Sequence, residues 1–339
     1  MRRYLIAAVL LCAGAVAGAR DWKQYPAVTQ IAKADEIFAI GDAHSDFVRL
    51  ARAMTAAGII ERQPSKPQDA KWCAGKAVLV TTGDMVDKGP RALDVLRLLM
   101  TVRADARRAG GDVVILAGNH EAEFLADPAA PKGQEFAKQL KAAHIDPAQV
   151  GACKGEIGEF LCSLSFAARV GDWFFAHGGN AGGRTIEQLT ADLQTGLEHE
   201  GYRTKHLIGE DSILEARLNG EGHKLWIDAG MPDRGERELL ADYAKALGVS
   251  HIVEGHVPSP VEFADGVKRD RGEMFQRFGL LFLIDTGMSE GVDDSGGAVL
   301  HIAYGGGERA TAVCPDGTKT LLWDNTHQQD TGRASPCAR

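Results

Sequence analysis

The chain has 339 residues, of which 45% are hydrophobic and 25% are charged, and its formal net charge is -8 at pH 7. These values are typical of a globular protein and exclude a disordered or collagen-like chain. The acidic balance, without any basic run, argues against nucleic acid as a partner. The length allows either two domains or one large α/β domain with insertions.

The first 19 residues have the pattern of a secretory signal peptide. Arg2 and Arg3 precede an apolar stretch at 4–16, and Ala17-Gly18-Ala19 offers a small-residue cleavage site. An uncleaved membrane anchor is the alternative, but the apolar stretch is short for a bilayer span. We therefore expect cleavage after Ala19, export to the periplasm or out of the cell, and no membrane span afterwards.

The next elements predict a βαβ unit. Apolar runs at 36–40, 77–82 and 113–116 are typical of buried strands, and the leucine repeat within 91–109 predicts a helix that stops at a glycine pair. Each strand run ends at a glycine followed by polar residues. In open α/β sheets the carboxyl ends of the strands hold the ligands, so these polar residues are candidates for chemistry.

The later elements predict further strands. Two apolar runs around Gly171-Asp172 indicate a hairpin, and a helical segment at 236–248 leads into the strand of "SHIVEGH" at 250–256. From residue 280 onward, short apolar runs alternate with glycine turns. We expect this tail to complete a second sheet packed on the first.

Two polar, helix-compatible stretches, near 127–158 and 188–230, are too long for ordinary connections. Each follows a strand that ends in polar residues at the predicted site. We therefore expect helical lids or binding loops, and tolerated surface additions are the alternative.

Five cysteines remain once Cys12 is removed with the leader. Cys153 with Cys162 and Cys314 with Cys337 are the plausible pairs, which leaves Cys73 free, although the sequence does not fix the connectivity. None of them has the spacing of a zinc site, so we expect structural disulfides in an oxidising compartment.

Side chains of metal-ligand type follow five strand ends. They are carboxylates, imidazoles and one amide, each close to glycine: Asp42, His44, Asp84, Asn119, His177 and His256. A set of this kind, without thiolate, suits two divalent ions such as Mn²⁺, Fe²⁺ or Zn²⁺. Asp84 is the candidate bridge because a carboxylate readily binds two cations.

A two-metal site of this kind is suited to hydrolysis at phosphorus. Two cations can clamp an oxyanion and can convert bound water to hydroxide near neutral pH. The leaving oxygen must then be protonated. His120 is the predicted general acid, and Asp87 is predicted to orient its imidazole and to keep it charged.

Each motif alone has a structural explanation. A Gly-Asp pair is typical of a turn, and the segment 119–121 suits a helix N-terminus with a carboxylate in its first turn. Five strand ends would have to carry metal-type ligands by coincidence, however, and helix capping requires no histidine.

The motifs together resemble, in order, those of calcineurin-like metallophosphoesterases. They are GDAH (41–44), GDMVDKG (83–89), GNHE (118–121), HGG (177–179) and EGH (254–256). The resemblance runs over about 36–287 and is greatest to the phosphoprotein phosphatases, in particular the bacterial Shewanella-like branch. It implies one domain over 20–339 of α/β class, a metallophosphoesterase αβ-sandwich of two mixed β-sheets flanked by helices.

The resemblance also implies a role for each matching residue. Asp42 and His44 would hold the first ion and Asp84 would lie between the ions. Asn119, His177 and His256 would hold the second ion. His120 and Asp87 would form the catalytic acid pair.

The chain departs from the family pattern at three places. Ser45 stands where glycine is usual, Lys88 replaces an arginine that binds phosphate, and the C-terminal run of the eukaryotic serine/threonine phosphatases is missing. Lysine offers a point charge instead of a two-pronged donor. The predicted phosphate-binding residues are Lys88, Asn119, the nearby Arg91, and Arg217, which resembles a second phosphate-binding arginine of related bacterial enzymes. A surface salt bridge is the alternative for Arg217.

The sequence therefore predicts an exported dinuclear-metal phosphatase. A metal-bridging hydroxide would attack a phosphomonoester directly, and phosphotyrosine or phosphoserine/threonine in protein would be the substrate. A hydrolase of small phosphate esters or dinucleoside polyphosphates is the first alternative. A non-catalytic, metal-dependent phospholigand-binding protein is the second, and the Lys88 replacement is its only support.

Overall fold

The computed structural model of the chain describes residues 20–218 and 235–338. The predicted signal peptide and the end of the second predicted insertion lie outside the described residues. Among the described residues, no helix is both long enough and apolar enough to cross a membrane.

Two large β-sheets form the centre of the molecule. The strands in chain order are β1 (Val28–Ile31), β2 (Glu36–Ile40), β3 (Val78–Thr81), β4 (Asp112–Ile115), β5 (Ala167–Val170), β6 (Trp173–Ala176), β7 (His251–Glu254), β8 (Val261–Glu262), β9 (Lys268–Arg269), β10 (Met274–Arg277), β11 (Leu281–Leu283), β12 (Val299–Ala303), β13 (Arg309–Val313), β14 (Lys319–Asp324) and β15 (Thr331–Ala334).

Both large sheets are mixed. One has the order β14-β13-β12-β2-β3-β4, in which β2, β3 and β4 run parallel and the other pairs are antiparallel. The other has the order β1-β5-β6-β7-β11-β10-β15, with β6, β7 and β11 parallel. Strands β8 and β9 pair separately. The predicted sandwich of two mixed sheets is confirmed.

Helices flank the sheets. In chain order they are α1 (Phe47–Ala56), α2 (Ala92–Ala109), α3 (Asn119–Ala126), α4 (Gln134–Ala142), α5 (Pro147–Gly151), α6 (Gly155–Cys162), α7 (Ile186–Glu200), α8 (Lys205–Ile208) and α9 (Glu236–Leu247). Helix α2 ends at Gly110, whose φ of +85° closes the helix in the left-handed conformation.

The alternation of side chains along each strand divides the core into layers. In β2, Ile37 and Ala39 pack with Trp173 and other residues of the second sheet, whereas Phe38 belongs to the cluster that includes the helices. Successive strand residues point to opposite faces, so a strand that is covered on both sides is apolar throughout. This explains why the strand runs of the sequence are uninterrupted.

The C-terminal tail completes the second sheet, as predicted, and also extends the first. Strands β10, β11 and β15 join the seven-stranded sheet, whereas β12 pairs antiparallel with β2 in the other sheet. Strand β2 follows β1 only through a short loop and has β3 on one side. Pairing with β12 satisfies the hydrogen-bonding groups on its other edge.

The first predicted insertion contains helices α4 to α6 and contacts the loop after β3. The backbone N–H of Phe136 donates to Asp87 Oδ1 at 3.0 Å, and Glu135 Oε2 accepts from the N–H of Lys88 at 2.8 Å. These bonds support the loop from the side. The lid role of the insertions stays a prediction.

Two disulfides are present, and both match the plausible pairs. Cys153 is bonded to Cys162, and Cys314 to Cys337. Cys73 is free and exposed. The second bond joins the residue after β13, in one sheet, to a residue beyond β15, in the other.

Candidate active site

All six predicted metal ligands lie just beyond the carboxyl ends of strands, and both sheets contribute. The loops after β2, β3 and β4 supply Asp42, His44, Asp84 and Asn119, and the loops after β6 and β7 supply His177 and His256. None is more than 4% exposed. The site therefore lies across the seam between the two sheets.

Asp84 lies between two groups of imidazoles. Its Oδ1 is 3.3 Å from His177 Nε2, and its Oδ2 is 3.5 Å from His44 Nε2 and 3.8 Å from His120 Nε2. Within the described part of the chain, two triplets have ligand atoms within 4.8 Å of one another, and both include Asp84: His44, Asp84 and His120, and Asp84, His177 and His256. The two oxygens of the Asp84 carboxylate therefore face the imidazoles of different triplets.

Hydrogen bonds to backbone carbonyl groups fix the orientation of two imidazoles. His177 Nδ1 is 3.0 Å from the carbonyl of Thr82, and His44 Nδ1 is 3.1 Å from the carbonyl of Val86. Since a carbonyl oxygen only accepts, each Nδ1 carries the proton and each Nε2 points to Asp84. An imidazole oriented in this way is a typical metal ligand.

The carboxylates and imidazoles shift one another's pKa values. Burial raises the pKa of Asp84, but His177 and His120 outweigh it and hold the pKa of this carboxyl well below its usual range. Burial lowers the pKa of His177, but Asp84 and Asp42 outweigh it and raise the pKa to about 9. An ion that binds His177 therefore displaces a proton from it.

Asp42 connects the two sheets. Both of its carboxylate oxygens are 3.1 Å from the backbone nitrogen of His256, which donates to them. Its Oδ2 also lies 4.0 Å from His44 Nε2. The N–H of a residue beyond β7 thus orients the first carboxylate beyond β2.

Asn119 begins helix α3 with its side chain held at both ends. Its Oδ1 is 3.1 Å from His177 Nε2, and its amide nitrogen donates to Glu215 Oε1 at 3.1 Å. The backbone oxygen of Glu215 lies 3.3 Å from His256 Nε2. The segment that contains Arg217 therefore contacts two predicted ligands of the second ion.

Glu121 holds the loops after β3 and β4 together. Its carboxylate accepts backbone N–H groups of Gly118 and Asp84 at Oε2, at 2.8 and 2.9 Å, and of Met85 and Val86 at Oε1, at 2.8 and 3.1 Å. It also serves as the first-turn carboxylate of α3. The helix-cap explanation of this motif is correct for Glu121, whereas Asn119 and His120 face the site.

The loops have an uncommon backbone conformation. Residues other than glycine with positive φ are His44 (39°), Ser45 (61°), Asp84 (50°), Asp87 (61°), Lys88 (52°) and His256 (64°). Such conformations are unfavourable for residues with a Cβ and cluster at functional sites. The loops are also closely packed, because a Cβ on Gly118 would lie 2.2 Å from Asp84 Oδ1.

His120 and Asp87 form the predicted acid pair. His120 Nδ1 lies 2.9 Å from Asp87 Oδ2, and the backbone N–H of His120 donates to Asp84 Oδ1 at 3.0 Å. Burial lowers the pKa of His120, but Asp84 and Asp87 outweigh it and the net shift is upward. With Nδ1 held by Asp87, Nε2 faces the interior of the site.

The calcineurin-like phosphoesterase family model matches residues 36–260. The chain belongs to this family. An uncharacterized protein of Schizosaccharomyces pombe is 30% identical over 267 residues, which are 74% of this chain and 73% of the relative. Shewanella-like protein phosphatase 2 of Arabidopsis thaliana is 33% identical over 93 residues, which are 27% of this chain and 22% of that protein.

Solved structures show the same fold. A cold-active protein tyrosine phosphatase has a TM-score of 0.63 at 22% identity, covering 90% of this chain and 82% of that one. A protein serine/threonine phosphatase from Saccharomyces cerevisiae has a TM-score of 0.58 at 15% identity, covering 94% and 86%. The family match confirms the predicted family and the prediction of a metal-dependent phosphatase.

The donor set of this phosphoesterase fits divalent ions. The buried carboxylates, the Nε2 atoms and the Asn119 oxygen converge without thiolates, as expected for ions of intermediate hardness. The family implies divalent metal. His44 on one side of Asp84, and His177 and His256 on the other, are placed to hold it, whereas His120 of the first triplet is paired with Asp87.

A cavity of about 240 Å³ opens onto the phosphoesterase site. Three of the four predicted phosphate-binding residues line it, namely Lys88, Asn119 and Arg217, and Arg271 adds another cation. Lys88 Nζ lies 3.3 Å from His44 Nε2. An ion on His44 would repel this ammonium group, whose flexible stem allows it to turn toward the cavity.

Arg91 lies outside the cavity that the other three predicted phosphate-binding residues line. Its Nε donates to Asp94 Oδ2 at 2.7 Å and its guanidinium lies 4.2 Å from the centre of the Phe47 ring. It is absent from the described lining of the cavity. The pair with Asp94 forms because residues three apart are neighbours at the start of α2.

Several residues near the site were not predicted as site residues from the sequence. Among them are Glu121, Glu215, Arg271 and Asp285. Asp285 follows the apolar strand β11 and precedes a glycine turn, the same signal that identified the other strand ends. Glu215 carries no such signal, because its segment lies in an irregular stretch.

Proposed function

We propose that the protein is an exported phosphomonoesterase with a dinuclear metal centre that acts on phosphorylated protein. The position of Asp84 carries the proposal: its two oxygens face different groups of imidazoles, as a carboxylate shared by two ions requires. Mn²⁺, Fe²⁺ and Zn²⁺ all suit the donors. When bound, two divalent ions would supply charge neutralisation and a hydroxide nucleophile.

The chain's own residues would divide the remaining work. Asp42, His44 and Asp84 would hold the first ion, and Asp84, Asn119, His177 and His256 the second. Lys88 and Arg217 would bind phosphate oxygens in the cavity, with Asn119 beside them. His120, held by Asp87, would donate a proton from Nε2 to the leaving oxygen.

Phosphoprotein as the substrate is supported by the relatives. A protein phosphatase of Arabidopsis thaliana shares sequence with this chain, and two protein phosphatases share its fold. Export is supported by the N-terminal pattern and by the two disulfides. The periplasm and the extracellular space are both compatible with these features.

Phosphate release tests the proposal. The purified protein, loaded with Mn²⁺, is given matched phosphotyrosine and phosphoserine peptides and p-nitrophenyl phosphate. We expect release from a peptide, and we expect Asp84→Asn to reduce it to background. Asp46→Asn is the matched control, because Asp46 caps α1 outside the cavity and asparagine caps equally well.

Each other result has a defined meaning. Release from the small ester alone would replace phosphoprotein by small phosphate esters as the substrate class. Wild-type activity in the Asp84→Asn variant would contradict the assigned centre. No release from any substrate, with metal still bound, would indicate a phospholigand-binding protein.

A further inference from the structure

Asp285 has a buried carboxylate oxygen with no partner. The residue is 1% exposed, and its Oδ1 accepts the backbone N–H of Gly287 at 2.9 Å. Its Oδ2 has no hydrogen-bond donor within 20–218 and 235–338. Leaving such an oxygen unpaired inside a protein is costly, and each case therefore requires an explanation.

Asp285 is among the residues that line the cavity above the site. His44, Asp84 and His256 line the same cavity. The backbone at Asp285 also touches the loop after β2, since a Cβ on Gly41 would lie 3.0 Å from Asp285 Cα. Strand β11 therefore brings a further carboxylate to the seam, next to Asp42.

Asp42 and Asp285 are buried carboxylates at the same part of the seam. Asp42 is 2% exposed and Asp285 is 1% exposed, and Gly41, the residue before Asp42, packs against the backbone of Asp285. Two buried carboxylates at one place are mutually unfavourable unless a cation lies between or beside them.

Arg269 does not supply that cation to the free oxygen. This arginine is fully buried, and a guanidinium has five N–H donors. All five go to backbone carbonyl oxygens: two to Glu273 and one each to Val257, Ser259 and Asp285. Arg269 thus holds the Asp285 backbone in place while its donors miss the carboxylate.

We propose that Asp285 is a further carboxylate ligand of the ion held by Asp42 and His44. The inference rests on the proposed dinuclear centre. Two divalent ions bring four positive charges, of which Asp42 and Asp84 offset two and Asp285 a third. An added oxygen donor makes this half of the centre harder, so it favours Mn²⁺ over Zn²⁺.

Metal binding by the purified protein tests the inference. Bound Mn²⁺ and Zn²⁺ are counted by atomic spectroscopy after dialysis, and affinities are measured by competition with a chelating dye. We expect two ions in the wild type. In Asp285→Asn we expect one of the two ions to lose affinity by about 10–100-fold, with a lower preference for Mn²⁺.

Asp294→Asn is the matched control. It removes one carboxylate from the same loop, but Asp294 pairs with Arg49 and does not line the cavity. Its affinities should equal those of the wild type. An equal loss of metal affinity in both variants would show that the effect comes from the change in net charge, and it would overturn the inference.

The remaining outcomes separate the two proposals. Two ions with unchanged affinity in Asp285→Asn would overturn the role of Asp285 and leave the dinuclear centre intact. Fewer than two ions in the wild type would overturn the dinuclear centre itself.

If Asp285→Asn does not fold, Asp285→Glu is measured in its place. This variant keeps the charge beside Arg269 but moves the carboxylate oxygens by one methylene. Wild-type affinity in that variant would make Asp285 a counter-ion only, whereas a loss would support the ligand role.

Discussion

At the scale of single residues, Ser45 combines two unfavourable features. Its φ is +61°, a conformation that costs a residue with a Cβ roughly 1–2 kcal/mol. Its hydroxyl is buried and has no hydrogen-bond partner among the described residues. The serine therefore lowers stability beside the ligand His44.

Replacing Ser45 by glycine should stabilise the protein. Glycine adopts the left-handed conformation freely and removes the buried hydroxyl, while it adds some entropy to the unfolded chain. We expect Ser45→Gly to increase the free energy of unfolding by about 1 kcal/mol, measured by urea denaturation. Ser45→Ala keeps the Cβ and should gain less, and a stability below wild type in Ser45→Gly would contradict the argument.

Asp87 has a separate, kinetic prediction. Asp87→Asn keeps the shape of the side chain but removes the charge that holds His120 Nδ1. General acid catalysis matters most for a poor leaving group, so turnover of phenyl phosphate should fall by about 10²-fold. Turnover of p-nitrophenyl phosphate, whose leaving group needs little protonation, should fall much less.

The control for Asp87 is another acid that supports the same loop. Glu135 accepts the backbone N–H of Lys88 and makes no contact with His120. Glu135→Gln should affect both esters equally and weakly. An equal loss of both activities in Asp87→Asn would assign Asp87 a structural role only.

At the scale of elements, helix α3 positions the site through Glu121. One carboxylate accepts four backbone N–H groups from two loops, which fixes Asp84 against the start of the helix. Burial and the nearby Asp84 raise the pKa of the Glu121 carboxyl to about 7, and the backbone N–H groups that it accepts favour its charged form. The loops after β3 and β4 consequently behave as one unit.

Glu121→Gln should therefore be strongly destabilising. The amide nitrogen of glutamine would face two N–H donors that now share one oxygen. We expect the free energy of unfolding to fall by about 3 kcal/mol, measured in the metal-free protein so that loss of ions does not contribute. Glu123→Gln, on the same helix and paired with Lys132, should cost far less; equal costs would exclude the special role of Glu121.

The strands and the helix around the site were predictable because a short stretch of sequence is enough to identify each of them. Strand β2 was predicted at its observed bounds, and β3, β4 and α2 to within one residue at each end, since an apolar run that ends at glycine marks a buried strand. The pairing of β12 with β2 joins residues more than 250 positions apart, and no local pattern encodes it. The Arg91 side chain lies outside the cavity because it pairs with Asp94. The spacing of the motifs gives no information about that contact.

At the scale of the whole molecule, the seam between the sheets is joined at several places. Strand β4 leads into a backbone bond from Ala117 N–H to the carbonyl of Ser165 at 2.9 Å. The disulfide between Cys314 and Cys337 joins the residue after β13, in one sheet, to a residue beyond β15, in the other. The His256 N–H bonds to Asp42 cross the seam at the site itself.

Removal of the second disulfide should cost more stability than removal of the first. Cys314 and Cys337 are 23 positions apart, whereas Cys153 and Cys162 are 9 apart. Loop entropy assigns about 3 kcal/mol to the longer loop and somewhat less to the shorter. Urea denaturation of the two double serine variants checks the order, with Cys73→Ser as the control expected to match wild type, and a reversed order would contradict the argument.

The Asp42 bonds across the seam also affect how the protein can lose and take up metal ions. Backbone N–H groups and a covalent bond tie the sheets together, so we expect the sheets to stay joined when the ions are removed. We therefore expect that a chelator can strip the ions, and that added metal can refill the site, without passing through an unfolded chain. For the proposed exported enzyme, the metal content would then follow the supply outside the cell throughout its lifetime and would not be fixed when the chain folds.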